Sequence, residues 1–195
     1  MRKITSLLLI AGTLLAFQSC KQKGKDAKQE ADSLNKTKDT TSNAMNTGGI
    51  AVNSDDAKFA TTAASGGMAE VALGKLALNK TGNAAIKNFA QMMVTDHGKV
   101  NDELIAIAKT KNITLPAAPD STHLKKIAEL QKLNGADFDK AYVSAMIDGH
   151  KKTLDLMNGE AKNGSDSTLK AFAARTAPVV QQHLDAINKI HDAMK

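Results

Sequence analysis

Apolar residues recur at three- and four-residue spacing through four long stretches of the chain, and the period-two alternation of strands is absent. The first stretch opens at Ser54 with Asp55 and Asp56, a cap followed by early acids. It carries Phe59, Ala63, Gly67, Glu70, Gly74 and Ala77 on one face until Lys80-Thr81-Gly82 stops it. A second runs from about Asn83 to Lys111 with Ile86, Phe89, Met93, Val100, Leu104 and Ile107 aligned, and Pro116 and Pro119 end it. Ser121 to Leu133 reads as a short amphipathic helix closed by Asn134-Gly135. Asp137 then caps a third long helix, faced by Phe138, Tyr142, Met146, Thr153 and Met157 and closed by Asn163-Gly164. The fourth runs from about Ser167 to the end through Leu169, Phe172, Thr176, Val180, Ile187 and Ile190, with Pro178 interrupting and kinking it. Four helices of roughly 40 Å, joined in two tight hairpins, predict an all-α four-helix bundle with a short extra helix in its middle connection. That connection could cross the length of the bundle, giving ferritin-like topology, or sit locally and leave a simple up-down order.

The residues before Ser54 follow other rules. Arg2 and Lys3 precede an apolar run from Ile4 to Phe17 that is too short to span a membrane, so residues 1–19 read as a signal peptide. Phe17-Gln18-Ser19-Cys20 resembles a lipobox, in which the cysteine is acylated and becomes the mature amino terminus. Acylation with more than one chain would hold the protein on a membrane. Lys21 in place of Asp favours the outer membrane of a bacterial envelope over retention at the inner one. Residues 20–54 are polar with almost no large apolar side chain, which predicts a disordered tether about 30–35 Å in mean span. Residues 55–195 are then the folded domain.

Divided this way, the formal charge of +6 loses its first meaning. The signal peptide and the tether each carry +2, which leaves +2 for the domain, and after the signal there are four Phe, one Tyr and no Trp. Neither a basic face nor stacking aromatics are present for nucleic acid, and that class is set aside. Cys20 is the single cysteine, so disulfides and thiolate chemistry are excluded from the domain.

Helical residues rotate by about 100° each, which locates polar side chains relative to the apolar stripes. Glu70 falls on the Phe59 face among small residues, His150 lies within the stripe of the third long helix, and His183 falls between Val180 and Ile187. Asp96 and His97 take the two flanks of the stripe on the second. At ~1.5 Å per residue, Glu70, His97, His150 and His183 lie about 17, 23, 20 and 27 Å from their helix ends, so all four share one central layer. One acid and three imidazoles from four helices, with a second acid beside them, match the ligands of a divalent transition metal such as Zn, Fe, Mn or Cu. The other reading is a self-satisfied network of carboxylates and imidazoles. Met93 and Met146 read as core filling, and His123, His191 and Asp148 as solvated. No nucleophile triad, phosphate loop or HExxH motif is present in the sequence.

Glu70 within Gly-Met-Ala-Glu-Val-Ala-Leu-Gly, Met93-Val-Thr-Asp96-His97, Phe138-Asp-Lys-Ala-Tyr142 with Gly149-His150, and Pro178 with His183-Leu184 together resemble a bacterial family. It is known as domain of unknown function 4142 and often labelled an outer-membrane protein. The resemblance covers about residues 56–192 and implies a ferritin-like helical fold in exported proteins. Ferritin-like di-iron proteins carry Glu three residues before the ligating His, and neither His97 nor His150 has it, so the resemblance does not extend to a di-iron oxidase. The expectation is a non-enzymatic or weakly catalytic envelope lipoprotein that holds a transition metal in its core. The rival expectation is a structural or stress-protective adaptor for a partner protein.

Overall fold

A computed structural model describes residues 24–38 and 53–195; residues 1–23, on which the expected signal peptide and Cys20 fall, and residues 39–52 lie outside the described residues. Seven α-helices follow in order among the described residues: α1 (Ala27–Lys38), α2 (Ser54–Lys80), α3 (Ala84–Met92), α4 (Gly98–Thr110), α5 (Ser121–Gln131), α6 (Gly135–Asn163) and α7 (Ser167–Ala193). A single π-helical turn, Met93–His97, splices α3 to α4 into one rod. No strand occurs among the described residues, as the periodicity requires.

Side-chain caps fix where the helices start. Asn53 accepts from the N–H groups of Asp55 and Asp56, Asn83 from Ala85 and Ile86, and Asp166 from Thr168 and Leu169. The cap of α2 is therefore Asn53, one residue before the Ser54 expected. Helix α6 starts at Gly135, not after Asp137, because Gly135 takes φ 55° and turns the chain straight out of α5. Pro178 lies on the exposed side of α7 and does not interrupt it, since its missing N–H leaves only one carbonyl to water.

The connection from α4 to α6 runs along α2. Lys111 pairs with Asp166 at 2.7 Å, at the end of the molecule where Asp56 accepts from the N–H groups of Ser165 and Asp166. Asp120 donates its N–H to Ser65 partway up α2, and the Lys80 ammonium reaches the Leu133 carbonyl at the opposite end. The rod α3–α4 and α6 thus run in the same direction. Helix α2 approaches the rod closely because Gly74 has no side chain: a Cβ there would stand 2.9 Å from the Ala90 carbonyl oxygen. The small residues of α2 serve this approach more than they make room for Glu70.

Two apolar clusters fill the interior. One gathers Phe59, Leu104, Ile107, Met157, Leu169 and Phe172, and the other Ile86, Phe89, Met93, Phe138, Tyr142 and Ile187. On every rod the polar candidates fall between the two clusters, so a polar layer divides the core.

Residues 24–38 correct the tether reading. Helix α1 packs on α2 with Ala31 and Asn35 buried. Composition hides this, because its attachments are polar. Asn35 brackets Thr114, donating to its carbonyl at 2.8 Å and accepting its N–H at 2.7 Å. Thr61 donates to Asp32, Lys38 to the Asn112 carbonyl, and Ser121 to Asp26. Few apolar contacts were needed once backbone groups of the 112–121 loop were available as partners.

Two buried acids, Asp56 and Glu160, lie outside the central layer. Burial, and then Asp56 and Asp166 nearby, raise the Glu160 carboxyl to about 7. A raised carboxyl favours the protonated fold, so its stability contribution is intact below about 4.5 and lost as pH rises toward 7. Glu160→Gln should therefore stabilise the protein by about 1–3 kcal/mol near pH 8 and change little near pH 4.5. Urea unfolding at the two pH values checks it; equal effects at both would contradict the assignment.

Candidate metal centre

The five expected residues converge. His97 Nδ1 lies 2.9 Å from Glu70 Oε2, and His97 Nε2 lies 3.2 Å from His183 Nδ1. His183 Nε2 lies 3.1 Å from Asp96 Oδ2, while His150 Nδ1 meets the Met146 carbonyl one turn earlier at 2.8 Å and stands 3.8 Å from Glu70 Oε1. The three imidazole rings are mutual neighbours, with centroids 5.1, 5.4 and 5.6 Å apart. Each offers one ring nitrogen, and those three nitrogens lie within 4.8 Å of one another. Glu70, His97, His150 and His183 are buried, and Asp96 is about one-third exposed at its side chain.

Which nitrogen each ring turns inward follows from what holds the other. His150 Nδ1 faces a carbonyl, which only accepts, so that nitrogen carries the proton and Nε2 is left as a lone pair. His150 Nε2 is buried and has no hydrogen-bond partner. Asp96 selects the Nε2–H form of His183 in the same way, leaving Nδ1 to face His97. Each ring thus has an oxygen at one nitrogen; at the other, His150 Nε2 and His183 Nδ1 are lone pairs, and His97 Nε2 must release the proton it donates to His183 before it can bind.

Charge is settled by the same contacts. Burial alone would raise the Glu70 carboxyl, but the His97 imidazolium, then His150 and a 3.2 Å hydrogen bond from Thr153, lower it to about 2. Burial opposes protonation of His97, yet Glu70 and then Asp96 raise it. Burial lowers His150, and burial with the positive His97 beside it lowers His183 to about 4. Glu70 is therefore a carboxylate and His183 a neutral imidazole near neutral pH, and of the three rings His97 is the one its surroundings draw toward the charged form.

Three features of the site go beyond what the helical pattern predicts. The π-turn adds a residue to the rod just where Asp96 and His97 sit, so His97 is buried while Asp96 stays at the edge and still reaches His183. Thr153 lies on the stripe that the pattern predicts, and its hydroxyl donates to Glu70, a role that spacing does not encode. His123, expected in water, is half-buried, with Nδ1 3.0 Å from Asp120 and 3.4 Å from Ser65 Oγ. That Ser65–Asp120–His123 cluster seats the start of α5. Glu70 also forms part of the wall of a groove of about 710 Å³ between α2, α5 and α6, lined by Leu73, Leu130, Ala145 and Leu156. Cys20 lies outside the described residues.

A model of one protein family matches residues 40–190, and the family is described as a domain of unknown function, DUF4142. The chain belongs to this family. Helix α1 precedes the matched residues. No curated protein and no solved structure matches the chain. Among the described residues, no helix is long and apolar enough to cross a membrane.

Proposed function

We propose that this DUF4142 protein is an envelope lipoprotein whose helical core binds one divalent transition metal ion through His97 Nε2, His150 Nε2 and His183 Nδ1. The observation that carries the reading is that three buried rings each offer one nitrogen within 4.8 Å of the other two, while an oxygen stands at one nitrogen of each ring, as second partners do for imidazole ligands elsewhere. Glu70 and Asp96 then orient ligands and do not ligate. A donor set of three imidazoles suits Zn or Cu better than Mn, and three protein ligands leave a zinc ion one open position. The ion would take the place of the hydrogen bond between His97 and His183 and give His150 Nε2 a partner.

The ferritin-like four-helix arrangement belongs to the same proposal. Four long rods, two tight turns and a connection that travels the length of α2 support it. Anchoring at Cys20 in the outer membrane is supported by the signal-like residues 1–19 and by Lys21.

Metal addition tests the binding. At a hundredfold excess over its dissociation constant an ion adds about 2.7 kcal/mol, which for a domain of this size raises the melting temperature by roughly 5–10 °C. Zinc or copper should produce that shift in protein purified without a histidine tag and none in His97→Ala. Unchanged melting with Zn, Cu, Fe and Mn alike ends the metal reading. It would leave the adaptor, which one observation favours: His97, His183 and Asp96 are linked by hydrogen bonds and Glu70 stands at ion-pair distance from His97 without any ion.

A further inference from the structure

Docking of α1 changes what an anchor at Cys20 does. Were residues 20–54 all flexible, the bundle would hang free of the lipid. Instead the described chain begins at Gly24 and is fixed from Asp26 onward, where Ser121 at the start of α5 donates both its N–H and its hydroxyl to Asp26. Four peptide units separate Cys20 from Gly24, a reach of at most about 14 Å. The chemistry along this side fits an interface with anionic headgroups. Lys25 just precedes α1, and Lys125 and Lys126 are exposed on α5, where one acid, Glu129, pairs with Lys126. Of the three large apolar side chains exposed among the described residues, Leu34 lies on α1 and Leu124 on α5.

We infer that the α1–α5 side of the bundle is a membrane-facing surface, seated on an anionic phospholipid leaflet by the Cys20 anchor. The inference rests on the lipoprotein reading and adds to it an orientation: α1 and α5 lie toward the lipid, and α7, across the bundle, lies away from it. Asn35 is the latch. Its two hydrogen bonds to Thr114 hold the far half of α1, and without them the chain from Lys21 to Asn53 would become the long tether that composition suggests.

Energy transfer reads this directly. Cys20 is the single cysteine and is blocked when acylated, so a dye can be placed at Thr122→Cys on α5 or Ala174→Cys on the exposed side of α7. The full lipidated chain is inserted in vesicles of phosphatidylethanolamine and phosphatidylglycerol carrying a headgroup acceptor. Transfer should be higher from the Thr122 site than from the Ala174 site, and Asn35→Ala with Asp32→Ala should lower the first and abolish the difference. Equal transfer from both sites in the otherwise unaltered chain overturns the orientation. So does a difference that survives release of α1. A chain that stays out of the membrane fraction, or whose Cys20 remains free to react, overturns the lipoprotein reading itself.

Discussion

Replacing Glu70 with alanine should destabilise the protein by about 3 kcal/mol, near the lower end for removing one member of a buried ion pair. Glu70 is 5 % exposed and is the carboxylate nearest the His97 imidazolium. Its loss leaves a positive ring between two apolar clusters with only Asp96 near, and His97 escapes the full cost by releasing its proton. The Thr153 hydroxyl loses its acceptor at the same time. At roughly 2–4 °C per kcal/mol the melting temperature should fall by about 6–12 °C. Glu70→Gln, which keeps the shape and an acceptor oxygen, should fall about half as far. A loss under about 1 kcal/mol for the alanine variant would mean that His97 is neutral in the fold.

The second large effect separates stability from binding. His150 is fully buried, and its Nε2 has no partner, while the Met146 carbonyl it contacts belongs to a regular helix and keeps its backbone bond. His150→Leu removes an unsatisfied polar atom from beside Phe89 and fills nearly the same space. The metal-free variant should be as stable as the native chain or up to about 1 kcal/mol more stable. Its zinc affinity should fall by more than about a hundredfold, since losing even a group that merely orients a ligand costs 10- to 100-fold. A polar group kept where a leucine would be quieter is the signature of a site. Urea unfolding with and without zinc checks both halves; a variant that is less stable by 2 kcal/mol or more without metal would assign His150 to structure instead.

What the sequence revealed depended on regularity. Glu70, His150 and His183 lie in unbroken helices, so rotation of about 100° per residue placed them inside correctly. Asp96 and His97 were assigned to the flanks because the added residue of the π-turn has no mark in the pattern; burial of His97 is its result. Whether an acid ligates or orients depends on which ring nitrogen turns inward, a matter of side-chain rotation that spacing does not encode. Helix α1 was invisible for another reason. It has no apolar stripe, and its place is set by Asn35 meeting a backbone 79 residues away. The direction of the α4-to-α6 connection was likewise undetermined until Lys111–Asp166 and Lys80–Leu133 marked its two ends.

The most direct test is a calorimetric titration of zinc into the tag-free protein and into His150→Leu. One ion should bind per chain in the first with a single transition, and binding to the second should be weaker by more than about a hundredfold. Absence of stoichiometric binding to the native chain, or undiminished binding to His150→Leu, would contradict a metal centre built on the three histidines.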